Sequence, residues 1–248
     1  MIARNLFFLT VVAMLCLPFC YAQSKQIAGM PYNGAKYDVY IVRVDSLLTN
    51  RFQILENKNG ESDDAVMKNL SKNGPFFLCN AGLSDSACNF LGLYIKNNQK
   101  LADINLSTGS GNFYLKPNGF VAIDDQLVEI SQSENYDYQM RYRWGVQNGP
   151  MLISANTINP QFNPNSPNKN IRLGMGIFSQ SGDKYLVFAC SKTPVTFHQF
   201  ATLFLNKFNC NNALNLTSGD VSMLHLPNAK LSGTKGKTTC NYFYISLK

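Results

Sequence analysis

The residues best suited to chemistry in this chain sit where short apolar runs give way to polar turns. Asn80-Ala81-Gly82 ends one run, and Ser110-Gly111-Asn112 precedes another. Gln147-Asn148-Gly149-Pro150 interrupts a third, and Thr217-Ser218-Gly219-Asp220 ends a fourth. Amides and hydroxyls at the ends of strands can gather into one polar site. Asn followed by Gly is also the plain chemistry of a turn. Arg172 lies within the apolar stretch Ile171 to Ile177. A guanidinium there needs an anionic partner or a wet cleft. It could hold a phosphate in its fork of donors, or close a structural ion pair. His198 falls in the first turn of an expected helix, where its pKa range suits proton transfer but no partner is visible. His225 lies in an apolar strand and reads as structural. The Gly-x-Ser-x-Gly elbow, the Gly-x-x-x-x-Gly-Lys loop and His-Glu-x-x-His are all missing from the chain, so it carries none of those three catalytic signatures.

These residues must be positioned mainly by strands. Tyr37 to Val44 alternates and is β-branched, and Phe52 to Leu55 looks like its partner. Ser62 can cap a helix reaching about Ser71, with Asp63 and Asp64 suited to its first turn and Asn73-Gly74 to its end. Pro75 to Cys79 reads as a buried strand and Gly92 to Asn97 as another. Phe113 to Ile123 is expected as a hairpin turning at Pro117-Asn118-Gly119. Further strands are expected over Val146 to Ile153, Ile171 to Phe178, Lys184 to Cys190, Ala213 to Leu216 and Cys240 to Leu247. Thr196 and Gln199 have the spacing of a capping box. The helix they open has a broad apolar face of Phe200, Ala201, Leu203, Phe204 and Phe208. The pattern predicts a mixed α/β or α+β domain, mainly sheet with two helices, too few for a doubly wound fold.

The first residues read as a secretory signal over 1–22. Arg4 is followed by an apolar run from Leu6 to Leu17, then Pro18 and a small-residue cleavage pattern ending at Ala22. That run is too short to span a bilayer, and no later stretch is long and apolar enough to do so. Residues 23–248 then form one domain, with no linker, repeat or charge block. The net charge is +7, spread thinly apart from Lys230, Lys235 and Lys237. A nucleic-acid binder would show a basic stripe with stacking aromatics, so the charge favours an anionic substrate or cell-surface polymer, or is simply a basic surface. Cys79, Cys88, Cys190, Cys210 and Cys240 remain after signal removal, enough for at most two disulfides. Cys79 and Cys88 flank a loop and could pair; Cys190 reads as a small core residue.

Five collinear stretches resemble the phosphodiester glycosidase family. Phe76-Phe77-Leu78-Cys79-Asn80-Ala81-Gly82 and Gly92-Leu93-Tyr94-Ile95 look like its Asn-Ala-Gly-Met and Gly-Leu-Tyr pair. Gly111-Asn112-Phe113-Tyr114-Leu115-Lys116-Pro117-Asn118-Gly119 is similar to the Gly-Asn-Phe-Phe-Leu-Lys-Pro-Asn-Gly of bacterial members. Gln147-Asn148-Gly149-Pro150-Met151-Leu152 resembles Gln-Ser-Gly-Pro-Met-Leu, and leads to Ile171-Arg172-Leu173-Gly174-Met175-Gly176. Pro194 to Ala201 resembles the opening of the family helix, and Ala213 to Leu216 enters the family's Leu-Asp-Gly region. There the pattern departs: Thr217 or Ser218 stands where the family has its aspartate, and Asp220 comes two or three residues later.

The resemblance implies one domain with a strongly curved mixed sheet and few helices. It implies hydrolysis of a sugar–phosphate diester on the glycosidic side, acting on an exported or cell-wall glycan in the periplasm or outside the cell. By position, Asn80, Arg172 and Asp220 would be catalytic, and Asn112, Gly82, Asn148, Gly149, Ser218, Gly219 and Ser222 would line the substrate site. Loss of the aspartate leaves two rivals open, a family member that binds glycan or sugar phosphate without cleaving it, and a secreted interaction protein on the same scaffold. No cofactor is required by the sequence. Aspartate and asparagine oxygens could ligate a divalent metal, though no spacing demands one.

Overall fold

The computed structural model describes residues 24–125, 127–217, 222–227, 232–233 and 238–248. The expected signal, Ser218, Gly219, Asp220 and the lysines at 230, 235 and 237 lie outside them. In chain order the first strands are β1 (Ser24–Tyr32), β2 (Ala35–Arg43), β3 (Phe52–Glu56), β4 (Phe76–Asn80), β5 (Tyr94–Lys96), β6 (Gln99–Ala102), β7 (Gly119–Ile123) and β8 (Val128–Gln132). They are followed by β9 (Trp144–Asn148), β10 (Met151–Ser154), β11 (Thr157–Ile158), β12 (Leu173–Gln180) and β13 (Asp183–Ser191). The last are β14 (Asn212–Asn215), β15 (Met223–His225), β16 (Ser232–Gly233) and β17 (Asn241–Ser246). The α-helices are α1 (Ser46–Arg51), α2 (Asp63–Leu70) and α3 (Phe197–Thr202). Sheet dominates and helices are few, as expected.

The strands form three sheets, ordered β1-β2-β13-β12-β14-β10-β11, β16-β15-β4-β17-β3 and β6-β5-β9-β7-β8. All described pairings between these strands are antiparallel. The period of two along each strand explains the layering. On β13, Leu186, Phe188 and Cys190 turn into a central core that also takes Phe77 from β4, Val146 from β9 and Phe243 from β17. Their neighbours Tyr185, Val187 and Ala189 face the opposite side, where Phe200, Ala201 and Phe204 of the helical segment cover them. Val66, Met67 and Leu70 of α2 cover the outer face of β4 and β17 in the same way. Both expected caps form: Ser62 accepts from Ala65 N, and Thr196 and Gln199 close a reciprocal box.

Several expectations change. Phe52–Glu56 pairs with β17 rather than with the Tyr37 strand, which lies between β1 and β13. The expected hairpin at Pro117-Asn118-Gly119 does not form, because Asn112–Tyr114 is a single 3₁₀ turn. The hairpin is instead β7 with β8. Val146 to Ile153 is not one strand: β9 ends at Asn148 in one sheet and β10 begins at Met151 in another. Pro150 cannot donate to a ladder, and the Gly149–Pro150 bond is cis. Cys79 and Cys88 do not pair, since Cys88 is bonded to Cys240 and Cys79 is a buried thiol. Sequence reading missed β1, an edge strand whose Gly29 and Pro31 mask its alternation. It also missed α1, which is only six residues long.

Candidate active site

β4 delivers Asn80 to the end of its sheet, and two side chains hold the turn that follows. Asn148, wholly buried, accepts from Leu83 N at 2.8 Å through Oδ1 and donates to Ala81 O at 2.9 Å through Nδ2. Gly82 lies between them because a Cβ there would fall 2.8 Å from Asn148 Oδ1. Gly149 brings the next segment close: a Cβ would lie 2.6 Å from Phe113 O and 3.2 Å from Asn112 O. So Gly82, Asn148 and Gly149 act on backbone placement, and both polar ends of Asn148 are used within the chain.

Three of the expected site residues, Asn112, Ser222 and Asn80, converge around Thr217 and the segment after it. Asn112 Nδ2 donates to Thr217 O at 3.5 Å. Ser222 Oγ donates to Ile171 O at 3.2 Å and lies 3.3 Å from Thr217 Oγ1. Asn80 Oδ1 accepts from Met223 N at 2.7 Å, one residue beyond Ser222. Asn80 and Gly82 line a cavity of about 150 Å³ with Ser84, Thr217, Thr239 and Cys240. Its described lining holds amide and hydroxyl groups but no carboxylate. Such a wall can hydrogen-bond sugar hydroxyls or a water from fixed directions.

Arg172 is almost wholly buried, but its guanidinium does not reach that lining. Nε donates to Val195 O at 2.9 Å, Nη2 donates to Asn168 O at 3.4 Å, and the group stacks 3.5 Å over the Phe197 ring. Among the described residues no carboxylate pairs with it. Of the two readings, the structural ion pair does not form among the described residues; carbonyls and an aromatic face hold the group instead, and suit a weakly hydrated planar cation. Burial pulls its pKa down to about 10, so it stays charged at neutral pH. The two histidines stand apart from the cavity lining. His198 is half-buried on α3, and His225 packs against Phe76 with burial lowering its pKa.

A carboxylate that sequence reading treated only as a helix-start residue stands behind the cavity wall. Asp63, at the start of α2, is buried; Oδ1 accepts from Thr239 N and from Tyr242 OH, each at 2.8 Å. Oδ2 accepts from Thr239 Oγ1 at 3.1 Å. These partners are 176 and 179 residues away in the chain, so no local pattern could reveal them. The Cys88–Cys240 disulfide joins the loop after Gly82 to the start of β17 beside the same wall.

A larger cavity, about 780 Å³, lies among Glu56, Lys58, Lys96, Arg143 and Trp144. None of the expected site residues lines it, and its charges are matched internally, Glu56 with both lysines and Arg143 with Asp125. Asn80, Gly82 and Thr217 line the smaller cavity, and Asn112 and Ser222 bond Thr217, so the candidate site is placed there. Among the described residues no group of three or more His, Cys, Asp or Glu side chains is arranged to hold a metal.

Comparison with known proteins bears on this arrangement. The NAGPA family, described as phosphodiester glycosidase, matches residues 72–242. The uncharacterized protein YigE of Escherichia coli (strain K12) is 31% identical over 163 residues, covering 65% of this chain and 63% of that protein. The match thus spans less than two thirds of that relative's length. The zebrafish N-acetylglucosamine-1-phosphodiester alpha-N-acetylglucosaminidase catalytic domain, auto-inhibited by its pro-peptide, is similar with a TM-score of 0.55. That likeness is at 14% identity, covers 92% of this chain and 89% of that one, and concerns the fold alone. The matched segment contains Asn80, Asn112, Arg172, Ser222 and Thr239 but not Asp63, and this chain belongs to the phosphodiester glycosidase family.

Proposed function

We infer that the protein hydrolyses a glycosyl phosphodiester on the glycosidic side, acting outside the cytosol on an exported or cell-wall glycan. The observation that carries this reading is one polar cavity lined by Asn80, Gly82 and Thr217, with Asn112 and Ser222 hydrogen-bonded to Thr217, within the family-matched segment. Water oxygen bonds to the anomeric carbon as the bond from that carbon to the phosphate oxygen breaks. The bonding pair leaves with the phosphate, the water's proton goes to solvent, and the products are free sugar and a phosphomonoester. A phosphate is a weakly basic leaving group, so it needs less protonation than the alcohol released in ordinary glycoside hydrolysis, where two carboxylates are usual. Positioning and charge stabilisation then supply most of the barrier lowering. Asn80 and Asn112 orient sugar hydroxyls or the water in this reading. Arg172 supplies positive charge near the site in this reading, and the catalytic role expected for Asp220 falls, with Ser218 and Gly219, outside the described residues.

Export is supported by the N-terminal signal pattern and by the Cys88–Cys240 disulfide, a bond favoured in oxidising compartments. No helix among the described residues is long and apolar enough to cross a membrane. A second reading, glycan or sugar-phosphate binding without cleavage, is favoured by the lack of a carboxylate in the described lining. The test is release of free sugar from the 4-nitrophenyl ester of N-acetylglucosamine 1-phosphate and of glucose 1-phosphate, beside Asn80→Ala. Sugar release with 4-nitrophenyl phosphate as co-product, strongly lowered in the variant, is the expected result. Saturable binding of sugar phosphate with no release would overturn hydrolysis in favour of the second reading.

A further inference from the structure

Asp63 is a buried carboxylate with no cationic partner among the described residues, held only by neutral donors. Burying such a group is costly, and its contacts reveal what it orders. The hydroxyl of Thr239 has one proton, and that proton goes to Asp63 Oδ2 at 3.1 Å. The lone pairs left on Thr239 Oγ1 then face Asn80 Nδ2, 3.5 Å away. On its other side Asn80 Oδ1 accepts from Met223 N at 2.7 Å. The Asn80 amide is therefore fixed from both ends. A flip would set its NH2 against Met223 N–H and its oxygen against the threonine oxygen. One Nδ2 hydrogen meets Thr239, and the second makes no bond among the described residues on a side chain that lines the cavity.

We propose that Asp63 is a positioning residue for Asn80, acting through the hydroxyl of Thr239, so that α2 orients the amide presented to substrate. The inference rests on the hydrolase reading for its catalytic consequence, but the orientation itself can be observed without turnover. Asp63→Asn keeps the shape while placing an NH2 group against the Thr239 hydroxyl. The hydroxyl must then turn its proton toward Asn80 Nδ2, setting donor against donor.

The experiment has two arms. In ligand-free protein, the ¹H–¹⁵N signals of the Asn80 side-chain amide are assigned by their loss in Asn80→Ala. They should shift in Asp63→Asn and in Thr239→Val, and stay in place in Thr239→Ser and in Asp64→Asn, an exposed neighbour. In the sugar-release assay with the 4-nitrophenyl ester of N-acetylglucosamine 1-phosphate, Asp63→Asn should lower kcat about tenfold or more, as loss of orientation does, with KM little changed. Asp63→Asn should cost nothing further in an Asn80→Ala background. An unmoved Asn80 amide in both Asp63→Asn and Thr239→Val overturns the proposal, as do losses that multiply in the double variant. Absence of turnover in the parent overturns the hydrolase reading alone, and the amide signals then decide the role of Asp63. If Asp63→Asn does not fold, the contrast between Thr239→Val and Thr239→Ser decides it.

Discussion

Asn148 holds Leu83 as a neighbouring strand would: its Oδ1 accepts from Leu83 N at 2.8 Å while its Nδ2 donates to Ala81 O at 2.9 Å. The side chain is wholly buried, so no water replaces it. Asn148→Ala should cost roughly 2–6 kcal/mol, because two buried backbone groups lose partners at about 1–3 kcal/mol each. Urea unfolding measures this, and a cost below about 0.5 kcal/mol, the scale of an ordinary surface change, would contradict it.

Arg172 combines two carbonyl contacts with stacking on Phe197, which a lysine cannot reproduce. Arg172→Lys should destabilise by roughly 1–3 kcal/mol, the scale of hydrogen bonds to a charged group. Activity and unfolding midpoint should fall together. A loss of activity with unchanged stability would instead assign the guanidinium to substrate alone.

Glu56 should shape the acid limb of the stability curve. Burial pushes its pKa up, but hydrogen bonds from Lys58, Lys96 and Tyr94 outweigh it and hold the group at about 2. The unfolded value is about 4.3, so the folded pKa is depressed. The contribution is full above about pH 5 and is lost as pH falls through the folded value near 2, amounting to roughly 2–3 kcal/mol. Glu56→Gln should therefore be less stable at pH 7 and show a flatter decline from about pH 5 to pH 2 in chemical denaturation. An acid limb unchanged from the parent would show that the carboxylate is not held this way.

The Cys88–Cys240 bond joins residues 152 positions apart. Its loss in Cys88→Ser should lower stability by about 2–5 kcal/mol, measured by thermal or urea unfolding. The other described cysteines, Cys79, Cys190 and Cys210, are buried, and burial pushes each thiol up, that of Cys190 to about 12. A thiol reagent such as DTNB should label none of the three until the protein unfolds. Labelling in the folded state at rates typical of exposed thiols would contradict the packing.

Local patterns carried much of the site. Thr196 and Gln199 close their box whatever the sheet does, because the cap joins residues three apart. Ser62 caps α2 for the same reason. The motif around Asn80 was legible because an apolar run ended in Asn-Ala-Gly. The same logic misread Val146 to Ile153, where apolar residues on both sides of Gly149-Pro150 look continuous although the chain passes from one sheet to another. The pair it offered, Cys79 and Cys88, is near in sequence, while Cys240 is near Cys88 only once β17 lies beside β4.

The sequence by itself determined the mostly-β character, the principal helix and the set of amides at strand ends, because each rests on spacing along a few residues; the family followed from the resemblance of five collinear stretches. Tertiary structure alone decided which polar groups meet. Asn148 was set to hold the Asn80 turn, Arg172 was turned to Val195 and Phe197, and Asp63 was placed behind Thr239. The physical reason is that a buried polar atom must be satisfied by whatever the packed sheets bring within about 3 Å. For these three groups the partners just named come from 23 to 176 residues away.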